Sequence, residues 1–430
     1  MLIEELYKIF IKNPKISIDS REDQSNGIFF ALKGENFNGN KFAKNAIEKG
    51  AAYAVIDDSS FRENEKYIFV DDVLATLQQL AKYHRDKTKI PLIAITGSNG
   101  KTTTKELING VLSRKYNTIA TTGNFNNHIG VPLSILKITD KTEIAIIEIG
   151  ANHIDEVAEL CKIAQPNFGI ITNIGKAHLE GFGNIEGVIK AKSKLFDFIK
   201  ENNGNVFVNS DDKLLMELSG NIKSTLYGTT TKADCRSEII DHDPFVNMKW
   251  FSPEGEKNIS TKLFGSYNFE NIEAAICIGK YFGVDTGKII SAIENYEPAN
   301  MRSQIIHSKN NNTIILDAHN ANPSSMKLAI ENFTQTNLKN KVLILGDMLE
   351  TGSEEKNEHL KILSLIRENS FWNVFLVGKI FQSVCTKNEF NSFLNAVELI
   401  ELFEDQPLKN SSILIKGSRG NKLEILTEIL

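Results

Sequence analysis

Cysteine is scarce in this 430-residue chain: Cys161, Cys235, Cys277 and Cys385 lie far apart, with no Cys-x-x-Cys spacing. A disulfide scaffold and a cysteine-held metal cluster are thereby excluded, and each thiol is expected to act as a small buried apolar residue. Long hydrophobic runs are also missing, for none approaches the roughly 20 residues needed to cross a bilayer. The first ten residues carry Glu4 and Glu5 within their apolar stretch and lack the basic start of a secretory signal, so cytoplasmic residence and no membrane partner are expected. Nor is there an excess of charge of either sign. Forty-nine Lys and Arg against 54 Asp and Glu leave a net charge of -5, which argues against broad capture of nucleic acid. Any anionic ligand must then be held by a local site. No internal repeat or low-complexity tract is seen, and the Asn-rich Lys309–Asn312 reads as a hairpin or turn.

What remains is ordinary globular composition, 41% hydrophobic and 24% charged. At roughly 150 residues per domain the length suggests about three domains. Residues 1–88 mix short alternating segments with helical patterns over Lys41–Lys49 and Val73–Arg85, and a strand pattern over Ala51–Ile56. From residue 89 to about 300, buried strand patterns at Ile90–Ile95, Ile144–Ile149 and Phe168–Thr172 alternate with helical ones, as in a parallel sheet covered on both faces. After Pro298 the alternation restarts in residues 301–430, with Thr313–Leu316, Val342–Leu345, Val374–Val377 and Ile413–Ile415. Polar loops at the carboxyl ends of such strands are where open α/β sheets place ligands.

One of those loops carries specific chemistry. Ile90–Ile95 runs into Thr96-Gly97-Ser98-Asn99-Gly100-Lys101-Thr102-Thr103, and Leu107, Ile108, Val111 and Leu112 then recur at helical spacing. Strand, glycine loop and helix N-terminus present backbone N–H groups to phosphate; Lys101 adds a charge for the β/γ-phosphates and the Thr102 hydroxyl can ligate Mg2+. Ile95 stands where the general motif has its first glycine. Glu148 ends a buried strand, where it would meet either a cation or a salt-bridge partner. His178 follows Asn173-Ile174-Gly175-Lys176-Ala177, and the amide-rich Gly123–Leu133 reads as either a binding loop or a set of Asn-stabilised turns. Lys190, Lys192 and Lys194 fall in an amphipathic pattern over Ile189–Phe198 that ordinarily coats a solvated face. Asp317-Ala318-His319-Asn320-Ala321-Asn322-Pro323 and Gly346-Asp347-Met348-Leu349-Glu350 follow buried strands and suggest a cleft, although Asp317 could equally be an N-cap.

In this order and spacing the segments resemble the Mur ligase family over nearly the whole chain. The shortened phosphate loop accounts for Ile95, and Gly265-Ser266-Tyr267-Asn268 with Asn271 resembles the segment that meets adenine. The resemblance implies an α/β fold of three domains: a central P-loop parallel-sheet ATPase domain, a smaller α/β N-terminal domain and a Rossmann-like C-terminal α/β domain. It further implies an ATP-dependent amide ligase of peptidoglycan precursor synthesis that activates a carboxylate as an acyl phosphate. Asp317–Met326 and Leu345–Glu350, together with the lack of an Asp-Asn-Pro-Arg signature, point within the family to addition of D-alanyl-D-alanine to a UDP-N-acetylmuramoyl-tripeptide. A diaminopimelate-adding or folylpolyglutamate-type ligase, and an inactive P-loop nucleotide-binding regulator, are the alternatives.

The resemblance also assigns roles. ATP would meet Gly97, Ser98, Asn99, Gly100, Lys101, Thr102, Thr103, Asn271, Arg302 and Asp317. Two Mg2+ ions are implied, one on Thr102 and Glu148 and the other on His178 and a carbamylated Lys192. Lys101, Glu148, His178, Lys192 and Arg302 would carry the catalysis. Ser20 and Arg21 belong to a segment resembling a uridine-nucleotide-binding region; Asn126, Asn127, Asn320, Asn322 and Ser325 are candidates for substrate contact. A monomer is expected. The chain departs from the usual family pattern at Asn38 and Asn40 (Asp and His), Ser193 (Gly), Met301 (Gly) and His319 (Tyr).

Overall fold

The computed structural model describes residues 2–371, 373–386 and 389–430. Three α/β units follow one another, each built on its own sheet.

In the first, Ile16–Ser17, Ile28–Phe30, Tyr53–Ile56 and Tyr67–Phe69 lie side by side and parallel, in that order. Alternate side chains of one strand serve two cores: Ile28 and Phe30 meet Leu6, Phe10, Leu77 and Leu80 of the helices Ile3–Lys12 and Val73–Lys87, while Phe29 packs with Ala43 and Ala46 of Ala43–Glu48. Both faces are thus covered, as a parallel sheet requires. The helix expected over Lys41–Lys49 opens as a 3-10 turn, Gly39–Phe42, because Asn38 accepts a hydrogen bond from the Asn40 N–H and tightens the entry.

Val73–Lys87, whose N-terminus is capped by Asp72 through the Ala75 N–H at 2.7 Å, is shared between two units. Its Arg85 is buried and donates to the carbonyls of Ala164 and Gln165 and to Asn167 Oδ1, each at 3.0 Å. Its His84 contacts the Ile138 carbonyl at 2.9 Å. The helix expected to close the first region is therefore also built into the second.

The second sheet has nine strands. Thr118–Ala120, Ile144–Glu148, Leu92–Thr96, Phe168–Ile171, Asn205–Asn209, Ser224–Gly228 and Cys235–Asp241 are parallel neighbours. Phe245–Ser252 and Gly255–Phe264 extend it antiparallel, an extension the sequence reading did not separate out. The chain leaves Leu92–Thr96 toward one edge, returns through Ile144–Glu148 and crosses to Phe168–Ile171 on the other side, which creates a crevice at the carboxyl ends. Leu107, Ile108 and Val111 of Lys101–Leu112 share one face with Ile272 and Ile276 of Asn268–Tyr281. Leu160 of Glu156–Ala164 and Leu195 and Ile199 of Ile185–Glu201 cover the other.

The third sheet runs Gln304–His307, Thr313–Asp317, Ser412–Lys416, Lys341–Gly346, Val374–Val377 and Asn391–Phe393, parallel except for the first strand. Asn311, left-handed at φ 60°, turns the opening hairpin where the Asn-rich run suggested one. Cys161, Cys235 and Cys277 are buried as expected, but Cys385 is partly exposed, because it follows the short helix Lys379–Val384 rather than lying under it. No helix among the described residues is long and apolar enough to cross a membrane.

Candidate active site

The loop between Thr96 and Lys101 is held open by contacts to the neighbouring strand end. Ser98 N–H donates to the Asn173 carbonyl, Asn99 N–H to Asn173 Oδ1, and the Thr172 hydroxyl to the Asn99 carbonyl at 2.6 Å. Two positions in it admit only glycine: a Cβ on Gly97 (φ 150°) would lie 1.9 Å from Thr172 Oγ1, and one on Gly100 (φ 79°) would lie 2.5 Å from Asn271 Oδ1. Helix Lys101–Leu112 starts at Gly100 with no side-chain cap, so its first N–H groups face the crevice. That is an anion site made of backbone and helix dipole.

Around this loop lies a cleft of about 990 Å³. From the second unit come Ser98 through Thr103, Asn126, Asn127, Glu148, His178 and Asn271; from the third come Arg302, Asp317, Asn320, Asn322, Ser325 and Lys416. Most of the residues singled out in the sequence therefore converge. Ser20 and Arg21 do not line it; Arg21 is exposed and pairs with Asp19 at 2.6 Å, which holds that carboxyl down at about 2. Lys192 sits in the interior nearby. A second cavity, about 400 Å³, adjoins the cleft through Asn127, His128, Gly150 and Glu156 and is walled by Gln78 and Lys82 of the shared helix.

Glu148 is buried at the end of its strand. Thr102 Oγ1 donates to its Oε2 at 2.9 Å and Asn126 Nδ2 to its Oε1 at 2.8 Å. A buried carboxylate with a hydroxyl beside it, below an open helix N-terminus, is a hard-oxygen pair of the kind that would suit Mg2+. His178 stands at φ 51° before helix Leu179–Phe182. Among the described residues no group of three or more His, Cys, Asp and Glu could by itself hold a metal.

The lysines of Ile185–Glu201 separate clearly. Lys190 is exposed, Lys194 pairs with Asp197 at 3.1 Å, and Lys192 is 1% exposed with its Nζ 5.8 Å from the Phe182 ring centre. The solvated face expected of all three thus fails at Lys192. Burial, and then the charge of Lys101, lower its pKa well below that of an ordinary lysine. Lys101 is also lowered, chiefly by desolvation, and its Nζ rests on the Gly97 carbonyl at 2.6 Å.

Asn271 is fixed by Thr104, whose hydroxyl donates to Oδ1, and by its own donation to Asn268 Oδ1, both at 2.9 Å. Asp317 ends its strand and contacts buried Lys416 at 2.5 Å; the cap of helix Pro323–Gln335 is Asn322 instead, in a reciprocal box with Ser325. Asn322 also donates to Asn99 Oδ1 at 2.8 Å, tying the third unit to the phosphate loop. Asn127 Oδ1 accepts from the Ile129 and Gly130 N–H groups and so shapes the turn that leads into Gly130–Ile135. Asp347 is not a cleft residue: it receives the Ile380 and Phe381 N–H groups at 2.9 Å. Asn40, at one of the departing positions, is buried and donates to Asp57 at 2.8 Å.

Three contacts were not anticipated. Glu350 Oε2 approaches His178 Nδ1 at 2.6 Å, and this contact is the main cause of the lowered Glu350 pKa. Lys176 meets buried Glu358 at 2.9 Å. His319 meets Arg302 at 3.1 Å. Glu350 and His319 stood in polar loops that follow strands, whereas Glu358, inside helix Glu355–Glu368, carried no signal.

Fold and site together define a P-loop phosphate-binding protein of three α/β units, with the third unit facing the nucleotide loop of the second. Family models match in the same order: the Mur ligase family catalytic domain over residues 15–85, the Mur ligase middle domain over 95–279 and the Mur ligase glutamate ligase domain over 301–419. A UDP-N-acetylmuramoyl-tripeptide--D-alanyl-D-alanine ligase of Bacillus subtilis (strain 168) is 34% identical, with 100% of this chain and 97% of that protein covered. Among solved structures, MurF from Acinetobacter baumannii is 31% identical with a TM-score of 0.85 over 96% of this chain and 92% of its own. A MurF ligase from Thermotoga maritima in complex with ADP shares the fold, with a TM-score of 0.85 at 24% identity over 97% of each chain. The chain belongs to the Mur ligase family.

Proposed function

We propose that the protein joins D-alanyl-D-alanine to the terminal carboxylate of a UDP-N-acetylmuramoyl-tripeptide, with ATP converted to ADP and phosphate. The observation that carries this reading is the sharing of one cleft by the phosphate loop, the Thr102–Glu148 pair and the polar loop after Thr313–Asp317; full-length similarity to the Bacillus subtilis enzyme supplies the substrates.

A carboxylate and an amine do not condense usefully in water, so the acid must first gain a leaving group. The carboxylate attacks the γ-phosphorus, ADP departs, and the dipeptide amine then displaces phosphate from the acyl phosphate. Lys101 and Arg302 neutralise charge on the transferring group, and the open N-terminus of Lys101–Leu112 holds the phosphates. Asn126 orients Glu148. Thr102 and Glu148 would hold one Mg2+, which supplies further neutralisation of the phosphates. His178 and Lys192 would hold a second: the deprotonated Lys192 amine would attack CO2, forming an N–C bond as one C=O π bond opens onto oxygen and an N–H proton is released, and the resulting carbamate would offer an oxygen ligand.

Residues 1–88 carry the uridine nucleotide near Ser20 and Arg21, residues 89–300 the ATP with Asn271 at the adenine, and residues 301–430 the dipeptide, with Asn320, Asn322 and Ser325 nearby and Asp317 bridging to ATP. The deciding assay is phosphate release from ATP with defined UDP-muramoyl tripeptides. It is expected to require D-alanyl-D-alanine; release driven instead by diaminopimelate or glutamate would replace this reading with another ligase of the family.

A further inference from the structure

Arg302 occupies the passage from the second unit to the third, and its backbone surroundings are unusual. Asn300, Met301 and Ser303 are all left-handed without being glycine, at φ 57°, 58° and 52°. Such a run persists only where neighbours over-determine it, and the neighbours are visible. Ser303 N–H donates to Asp317 Oδ1 at 3.2 Å, Ser303 Oγ shares a 2.9 Å hydrogen bond with the Tyr267 hydroxyl, and His319 N–H donates to the Met301 carbonyl at 3.3 Å. Tyr267 belongs to the second unit and Asp317 and His319 to the third, so both grip the passage.

The side chain of Arg302 is held at one point. Its Nη2 lies 3.1 Å from His319 Nδ1, while its buried Nε has no hydrogen-bond partner among the described residues. Both Arg302 and His319 line the cleft. We propose that His319 is a positioning residue that accepts a hydrogen bond from Arg302 and, with the clamped left-handed segment, aims the guanidinium at the anionic end of the bound nucleotide. This rests on the reading that ATP occupies the cleft.

The chemistry of the partner matters. A carboxylate in place of His319 would hold Arg302 but quench its charge, and a second cation would repel it. A neutral ring nitrogen fixes the fork and leaves its charge and its remaining donors for phosphate. His319 meets that condition at neutral pH, because burial, then Arg302 and Arg419, press its pKa down to about 4 against the opposing pull of Glu148 and Asp317.

The test uses the full chain and a double-mutant cycle. Arg302→Ala is expected to remove most phosphate release. His319→Ala is expected to lower kcat about tenfold while raising KM for ATP no more than about fivefold, and adding it to Arg302→Ala should cost nothing more. His319→Asn, whose Oδ1 can stand near the lost Nδ1, should restore most of kcat. In calorimetry His319→Ala should weaken a non-hydrolysable ATP analogue about fivefold and leave ADP within twofold. Additive losses in the double variant, or equal weakening of analogue and ADP, would overturn the proposal. Near-normal turnover of Arg302→Ala would overturn it by removing Arg302 from the reaction. If the wild-type chain released no phosphate with the peptide substrates, the ligase reading would fall, and the analogue-against-ADP comparison would still decide the role of His319.

Discussion

His178 and Glu350 meet at 2.6 Å across the boundary between the second and third units, and both are left-handed residues other than glycine, at φ 51° and 66°. A carboxylate at Nδ1 leaves Nε2 to face a metal, the arrangement in which a partner beyond the ligand shell orients a histidine ligand. Approach of the third unit would then also complete the support of the second metal position. Glu350→Gln is expected to raise the Mg2+ concentration needed for half-maximal phosphate release by about tenfold, the lower end for loss of such a partner. Mn2+ binding followed by electron paramagnetic resonance should weaken in parallel. An unchanged metal titration would make the pair a simple contact between units.

Lys101 needs its charge more than its packing. Lys101→Ala should lower turnover on the order of 10²-fold or more, the scale for deleting an electrostatic contact to a transition state. The melting temperature should hardly move, since the ammonium rests on the Gly97 carbonyl and not in a hydrophobic core. Near-normal turnover with an intact melting curve would remove Lys101 from the reaction.

Sequence legibility followed periodicity. Val374–Val377 was read to the residue because four consecutive buried apolar side chains admit few alternatives. The phosphate loop was equally plain, for its glycines, lysine and threonine are fixed by local backbone chemistry. Phe245–Ser252 was passed over: its inward face alternates with half-exposed residues, and the sheet that pairs it is a property of distant segments. Lys192 was distinguishable from Lys190 and Lys194 only by resemblance, because helical spacing gives a face but not what covers it. Glu350 and Glu358 were invisible as contacts for the same reason, since each meets a residue of the second unit far away in sequence, whereas His319 meets Arg302 across the ends of the hairpin formed by Gln304–His307 and Thr313–Asp317.

The helix Val73–Lys87 decides where the chain can be cut. A chain starting at Lys89 would leave bare the surface that Val73–Lys87 covers, along with the acceptors of Arg85. It should therefore fold poorly, whereas one starting near Phe69 should keep ATP binding and lose the uridine substrate. Arg85→Ala alone should cost about 3 kcal/mol in urea denaturation, because it leaves buried carbonyls without donors. A loss below about 1 kcal/mol would show that water replaces them.

His319 should leave a mark on stability as pH falls. Its folded pKa of about 4 lies below the ordinary histidine value. Between about 6.5 and 4 the unfolded chain binds the proton more readily than the folded one, so stability rises with pH across that window and is lost as pH is lowered through it. His319→Asn should flatten that part of the profile relative to wild type, as measured by urea midpoints at several pH values. Parallel profiles would mean that the ring titrates normally.

Lys192 sets the solvated-face and metal-site readings furthest apart. An exposed helical lysine changed to Ala shifts stability within about 0.5 kcal/mol and leaves chemistry alone, which is the expected behaviour of Lys190→Ala and of Lys194→Ala. Lys192 is enclosed, its amine is depressed toward neutrality by burial and by Lys101, and neutrality is what addition of CO2 requires. Lys192→Ala should remain folded, with a modest change in melting temperature, because the lost stem packing is offset by relief of an amine whose charged form burial and Lys101 disfavour. Turnover should fall on the order of 10²-fold or more, as for other groups that support transition-state charge. If a carbamate stands at Lys192, acetate or propionate should restore part of the activity of Lys192→Ala and none of that of Lys101→Ala. A carbamate carbon should also appear by NMR when the wild-type chain is equilibrated with 13C-labelled bicarbonate, and should be absent from Lys192→Ala. Full activity of Lys192→Ala in bicarbonate-depleted buffer would end the assignment, and a loss confined to Lys190→Ala or Lys194→Ala would move it to another lysine.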